Sequence, residues 1–344
     1  MTSYFIRRLL LVIPTFLGIT LLVFVITRFV PGGPVDKILS ESQRMSMSES
    51  GTPGGSQQSS QNTSPLSEEQ IQELKEFYGF DKPVLVSYFE WLFKILKFDL
   101  GISTRYYDPV WEIIKDKLPV SIYYGVVTTI LTYIICIPLG ILKAIKHKTY
   151  VDNTSSVLIL VGYALPGFIV AIILFVWPAA RWDWFPLGGF VSEEFEDLIF
   201  IDQVWDVIYH SILPMIAYMI GGLATMTFLM KNTLMDNLSA DYVRTAIAKG
   251  KSFRGAVFGH AFRNSIIPLA THFGNNISMF LAGSFLIEKV FNIDGLGLLG
   301  FESLVERDYP IVLGVLVISS ILGLLGNILS DLCVALVDPR VKFE

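Results

Sequence analysis

Apolar and charged residues are unevenly shared along this chain. Six stretches contain no Asp, Glu, Lys or Arg: Leu9–Ile26, Val120–Leu142, Ser155–Val176, Ile212–Met230, Leu269–Ile287 and Ile311–Leu329. A helix needs about 20 apolar residues to cross the ~30 Å hydrocarbon core of a bilayer. The pattern therefore predicts an all-α integral membrane protein with about six transmembrane helices. Arg7 and Arg8 precede the first stretch, as in a signal peptide, but the run is longer than a signal's apolar core. It is followed by Thr27-Arg28-Phe29-Val30-Pro31, a poor cleavage site, so it reads as a retained helix.

The polar stretches have their own organisation. Residues 40–65 are rich in Ser, Gln and Gly and read as a flexible insertion, because such a segment buries too little apolar area to order itself. Ser67-Glu68-Glu69-Gln70 then fits a capping box, with Ile71, Leu74 and Phe77 at helical spacing and Gly79 suited to the stop. Pro83 opens a second amphipathic helix. It has Leu85, Tyr88, Phe89, Leu92, Phe93 and Leu96 on one face and Glu90, Lys94 and Lys97 opposite. The expected divisions are a first helix over 1–30, an outer loop with a helical cap over 31–118, and a five-helix core over 119–344. A loop over 231–267 belongs to that core.

Composition agrees with a membrane location. Of 344 residues, 52% are hydrophobic and 17% charged, with a mean hydropathy of +0.56; soluble domains average about 25% charged. Basic residues favour the cytoplasmic side of short loops. With the N-terminus inside, the inner segments carry Arg7 and Arg8, then Lys143, Lys146 and Lys148. The next inner segment holds Lys231, Arg244, Lys249, Lys251, Arg254 and Arg263, and the last holds Arg340 and Lys342. The short outer loops hold only Arg181, Lys289 and Arg307. This predicts cytoplasmic N- and C-termini. The outer loop after the third stretch is acidic, with Glu193, Glu194, Glu196, Asp197, Asp202 and Asp206 among its residues. It reads as a solvated loop or as an attractor of cationic substrate or partner.

The chain shows little machinery of its own for energy coupling. Ion-coupled transporters place ionisable groups inside the bilayer. Here the polar residues in or beside the stretches are His272, Asn275, Asn276, Asn327, Glu288 and Asp331, with Glu288 and Asp331 expected at helix ends where snorkelling is easy. Thr245 stands where a phosphate-binding loop of the Walker A type needs Gly, so no nucleotide cofactor is expected on this chain. Cys136 and Cys333 read as small hydrophobes, and the four histidines form no metal-ligand pattern. An ion-coupled secondary transporter, an intramembrane enzyme and a passive scaffold are the competing readings. The first lacks intramembrane charges and the second lacks a catalytic pair.

Residues 231–267 form the longest and most basic inner segment. Asp241–Lys249 reads as a short helix with Tyr242, Val243, Ala246 and Ile247 on one face. Gly250 supplies the positive φ that ends a helix. Phe253, Val257, Phe258, Ala261 and Phe262 define a second amphipathic helix, and Pro268 separates it from the fifth stretch. Such a knob either fills a groove on a soluble partner or packs on its own bundle.

Tyr242-Val243-Arg244-Thr245-Ala246-Ile247-Ala248-Lys249-Gly250, followed by His260-Ala261-Phe262-Arg263-Asn264-Ser265-Ile266-Ile267-Pro268, resembles the EAA-type coupling motif of ABC importer permeases of the dipeptide/oligopeptide family. The leading Glu-Ala-Ala appears here as Arg244-Thr245-Ala246. The resemblance extends to Tyr4–Leu9, Pro31–Pro34, Tyr78–Pro83, Lys115–Ser121, Gly295–Gly300, Arg307–Pro310 and Val337–Arg340. Several of these blocks resemble the branch that imports oligopeptides and microcin C in Gram-negative bacteria; the 40–65 insertion is a departure. The resemblance implies a type I importer (MetI-like) fold in the bacterial inner membrane, with no catalysis by this chain. It also implies a second permease subunit, two ATPase domains carrying ATP and Mg, a periplasmic binding protein and a peptide substrate, within membrane lipid and without nucleic acid. It assigns coupling to the ATPase to Asp241, Tyr242, Arg244, Thr245, Ala246, Lys249 and Gly250. Asn275 and Asn276 either face the passage or bond between helices. Gly221-Gly222 and Gly323-x-x-Gly326 suit close helix packing.

Overall fold

The structure, a computed structural model, describes residues 2–29 and 82–338. The 40–65 insertion, the helix expected after Ser67, the Pro31–Pro34 block and Arg340 and Lys342 lie outside the described residues. The described chain is helical, with one isolated bridge between Ile102 and Pro109 as its sole extended pairing.

Helix α1 is Thr2–Phe29 and α2 is Val84–Ile95. Helix α3, Val110–Ile145, is long. Helices α4, Tyr150–Ala164, and α5, Gly167–Leu174, follow, the latter continued by a π-turn over Phe175–Arg181. Helix α6, Phe200–Ser239, runs unbroken for 40 residues. Short α7, Asp241–Ala248, α8, Phe253–Ala256, a π-turn and α9, Phe262–Ser265, come next. The chain continues through α10, Ile267–Leu281, α11, Phe285–Val290, α12, Leu296–Val305, and α13, Tyr309–Val337.

The expectation of about six transmembrane helices meets two breaks in the described chain. Four described helices, α1, α3, α6 and α13, are long and apolar enough to cross a membrane, and a fifth span is reached only if a bent pair counts as one. That pair is Tyr150–Ala164 with Gly167–Arg181, bent by 95°. Leu165 precedes Pro166 and takes extended angles, φ −91° and ψ 126°, as the proline ring requires. The stretch Leu269–Ile287 also breaks. Its helix α10 stops at Leu281, Gly283 adopts φ +76°, and α11 starts at Phe285. The remaining helices outrun their apolar stretches because polar residues at their ends continue the same helix; α3 begins at Val110, ahead of the expected core boundary at 119.

The chain divides into two compact units. One comprises Lys117–Leu299 with Ser319 onward and the start of α1. Its core holds two buried clusters. Tyr124, Leu213, Met215, Tyr218, Ile287 and Phe291 lie in one, and Cys136, Met230, Leu234, Val243, Val257 and Leu269 in the other. Within a bilayer, burial from water does not drive helix association, so close packing must. Helices α10 and α13 touch backbone to backbone. A side chain at Gly274 would strike the Gly326 carbonyl oxygen, and one at Gly326 the Ser278 hydroxyl. Ser278 Oγ donates to Gly274 O at 2.9 Å and to Leu322 O at 3.1 Å. Gly221 and Gly323, by contrast, face open space.

The other unit comprises Ile13–Asp116 and Gly300–Ile318. Pro83 precedes α2 as expected, but the apolar face divides. Tyr88 and Ile95 turn inward, while Leu85, Phe89, Phe93 and Leu96 stay exposed. Helix α1 supplies the reason: Tyr88 Oη lies 3.0 Å from Thr20 Oγ1 and donates to Leu17 O at 3.1 Å. The Tyr88 and Trp91 rings also flank Phe24. Ahead of α13, fully buried Asp308 accepts Ser103 Oγ at 2.5 Å and Arg105 N at 3.1 Å, tying the loop before α3 to the start of α13.

Candidate functional site

Helix α7 begins where Ala240 leaves the helical region at ψ 147°. Asp241 occupies the first turn, where a carboxylate complements the exposed N–H groups. The helix ends in a complete Schellman arrangement. Gly250 takes φ +86°; its N–H donates to Ile247 O at 2.9 Å, and Lys251 N donates to Ala246 O at 3.2 Å. A β-carbon at Gly250 would meet nothing within 4 Å. The glycine therefore answers a backbone requirement, not crowding inside this chain. Ser252 caps the next helix through Gly255 N.

The knob has a defined inside and outside. Val243, Ala256, Val257 and Ala261 are buried with Met230 and Leu234 of α6. Thr233 Oγ1 donates to Ser265 O at 3.0 Å, and Ser265 Oγ returns a bond to Thr233 O at 3.2 Å. Outward stand Asp241, Tyr242, Arg244, Thr245, Ile247, Lys249 and Gly250, with Ala246 half-buried. Phe253 and Phe258 are also exposed. Arg244 and Asp241 approach only to 3.8 Å on the open surface, a pair worth little. Thr245 bonds within its own turn. Tyr242 has an internal task that spacing did not reveal: its hydroxyl donates to Asn237 Oδ1 at 2.6 Å and accepts from Asn264 Nδ2 at 3.0 Å.

Asn275 and Asn276 lie on α10 and not on the knob. Asn276 Nδ2 donates to Tyr133 Oη at 3.3 Å, and Tyr133 Oη donates to Leu269 O at 2.8 Å. This is the interhelical use. The Asn275 side chain is exposed, and its N–H reaches Ser330 Oγ at 3.3 Å.

Two buried ionic sites escaped the sequence. Glu288 is not a snorkelling helix end but 2% exposed. It accepts Tyr218 Oη at 3.1 Å, Ser284 N at 3.2 Å and Leu298 N at 2.6 Å, the last within the first turn of α12. Its carboxylate fills space left free by Gly295 and Gly297, which was the available signal. The second site is Asp152, which binds Lys143 and Lys231, two residues that read as ordinary inner-loop bases. Between α3 and α6 an apolar groove of about 550 Å³ runs from Tyr123 to Ile135 on one side and Ile208 to Leu223 on the other. It offers a peptide backbone almost no hydrogen-bond partners. Among the described residues no cluster of His, Cys, Asp or Glu could hold a metal.

A short helix closed by the Gly250 turn and held outward on a bundle of apolar helices presents a contact surface. A family model described as a binding-protein-dependent transport system inner membrane component matches residues 136–343. The chain is 42% identical over 362 residues to the inner membrane ABC transporter permease protein YejB of Escherichia coli O157:H7, covering all of both chains. It is 41% identical over 360 residues to the peptidoglycan transport system permease protein YejB of Agrobacterium fabrum, covering 100% of this chain and 99% of that one. It is also 34% identical over 344 residues to the oligopeptide transport system permease protein AppB of Bacillus subtilis, again over both full lengths. A solved structure of the MetNI methionine ABC transporter, in inward-facing conformations, shares the fold. Its TM-score is 0.51 at 14% identity, covering 66% of this chain and 96% of that one. The chain therefore belongs to the binding-protein-dependent transport system inner membrane component family, as a multi-pass permease subunit of an inner-membrane ABC transporter whose ATPase is a separate subunit.

Proposed function

We propose that this chain forms half of the passage of an ATP-driven oligopeptide importer and takes its driving force through α7. A second, YejE-like permease completes the passage, two ATPase domains carry ATP and Mg, and a periplasmic binding protein delivers the peptide. The two termini face the cytoplasm, and α10 with α11 makes the sixth crossing. Microcin C-like peptides fall within the cargo class.

The observation that carries the reading is the shape of α7. It is closed at its C-terminal end by the Gly250 turn, anchored inward by Val243, and presents Tyr242, Arg244, Thr245, Ile247 and Lys249 outward. This fits helix-in-groove docking. Arg244 and Lys249 would meet acids on the ATPase, and Ala246 allows close approach. The groove between α3 and α6 fits a passage that grips little, with selectivity left to the binding protein. The ion-coupled alternative finds little support. The buried carboxylates Glu288, Asp152 and Asp308 are each engaged by donors of this chain, so none of the three is an open proton site.

The test is reconstitution of the permease pair with its ATPases and binding protein in vesicles. Labelled oligopeptide is expected to accumulate only with ATP, and Gly250→Trp is expected to abolish uptake while leaving membrane insertion intact. Accumulation by a proton or sodium gradient without ATP would overturn the reading. The relative named for peptidoglycan transport favours peptidoglycan-derived peptides as a second cargo; competition between these and unmodified oligopeptides separates the two.

A further inference from the structure

Asp152 sits in the first turn of α4 and is 2% exposed. Four groups converge on its carboxylate. Lys231 Nζ of α6 reaches both oxygens, at 2.7 and 2.8 Å. Lys143 Nζ, in the last turn of α3, lies 3.1 Å from Oδ1. His147 Nδ1 lies 3.3 Å and Lys148 N 3.1 Å from Oδ2. Lys143 is fully buried and also donates to Asp152 O at 2.9 Å, Ser155 Oγ at 3.0 Å and Ser156 Oγ at 2.6 Å. Its ammonium stands 5.3 Å from the Phe228 ring of α6. Two lysines share one carboxylate, so these three residues together carry a net positive charge in a buried place. Such a group is costly to bury, and apolar side chains would join three helices at lower cost.

Its place on α6 gives it a use. Successive helical residues turn by about 100°. Lys231 and Thr233 are two residues apart and so point to nearly opposite faces. Thr233 holds the knob through its paired bonds with Ser265. Lys231 holds the α3–α4 turn through Asp152. Helix α6 has no break between them, so it moves as one rod on this scale.

We propose that Asp152 and Lys231 are positioning residues that link α6 to the α3–α4 hairpin, passing displacement of the knob to the bent α4–α5 pair. The inference rests on the docking role proposed for α7. Without the link, α6 still receives the push, but the hairpin is left with only its packing on α6, as where Gly162 meets Ile220, and follows less. An uncoupled importer hydrolyses ATP and moves little peptide.

The experiment uses the assembled importer, isolated by size exclusion, and reads peptide imported per ATP hydrolysed. Lys231→Met is the informative variant. It leaves Asp152 neutralised by Lys143 and the α3–α4 turn intact, and it cuts only the link to α6. We expect assembly and ATP hydrolysis to persist while peptide per ATP falls by at least about fivefold, the lower end of typical coupling between linked sites. Lys231→Arg, which can engage both carboxylate oxygens, is expected to restore the ratio. Asp152→Asn should reproduce the loss. An unchanged ratio in assembled Lys231→Met, or no recovery with Lys231→Arg, would overturn the link. Failure of the docking role itself shows separately, as absent ATP-driven uptake in the unmutated importer.

Discussion

Gly250 illustrates how one backbone angle separates folding from function. Its φ of +86° lies where a side chain costs about 1–2 kcal/mol. Nothing in this chain crowds its β-carbon. Gly250→Ala is thus expected to lower stability by about 1 kcal/mol and Gly250→Trp by little more, as read from thermal unfolding in detergent. A far larger loss of ATPase binding with Trp than with Ala would locate the added bulk at a partner surface. Glu288 is the converse case. Glu288→Ala would strand the N–H of Leu298, while Ser284 N keeps Tyr218 Oη at 3.2 Å; the cost is about 1–3 kcal/mol, and the start of α12 would soften. Thermal unfolding checks this, and an unchanged midpoint would mean that water replaces the carboxylate.

Among the elements, legibility followed the range of the controlling interaction. The start and stop of α7 were readable to within a residue, because Asp241 and Gly250 act on their own turn. The break at Leu165 was equally local, and Pro166 stood in plain view, yet an unbroken apolar run hid it. The division of the α2 face was not readable, because it depends on Thr20 of α1 offering Tyr88 a partner 68 residues away. Asp152 escaped for the same reason: its lysines lie 9 and 79 residues off along the chain. Contact between α10 and α13 makes its own prediction. Gly274→Leu would force apart two touching backbones, and overpacking commonly costs about 1–3 kcal/mol and sometimes more. Limited proteolysis of the purified membrane protein should then show new cleavage around α10, whereas Gly323→Leu, facing open space, should not.

For the whole molecule, the apolar surface is the dominant fact. Leu10, Leu11 and Leu22 of α1 and Leu158 and Val161 of α4 are all exposed, as side chains in contact with lipid would be. The permease family was legible from the sequence because its motif lies in one continuous segment. The breaks at Leu165 and Gly283 were not, because hydropathy reports length without direction. We expect the chain to co-purify in mild detergent with a second permease and two ATPase domains, and Gly250→Trp to shed the ATPases while keeping the permease pair. Recovery of the variant with its full set of ATPases would sink the docking role.

The eight residues of α7 have one last implication. Helices this short do not persist alone in water, so its form is borrowed from α6 and from the Ser265 end of the knob. A synthetic peptide copying residues 240–251 should therefore be unstructured and a poor competitor for the ATPase cleft. An inhibitor designed on this surface would need a staple or a scaffold to supply the rigidity that the permease lends for free.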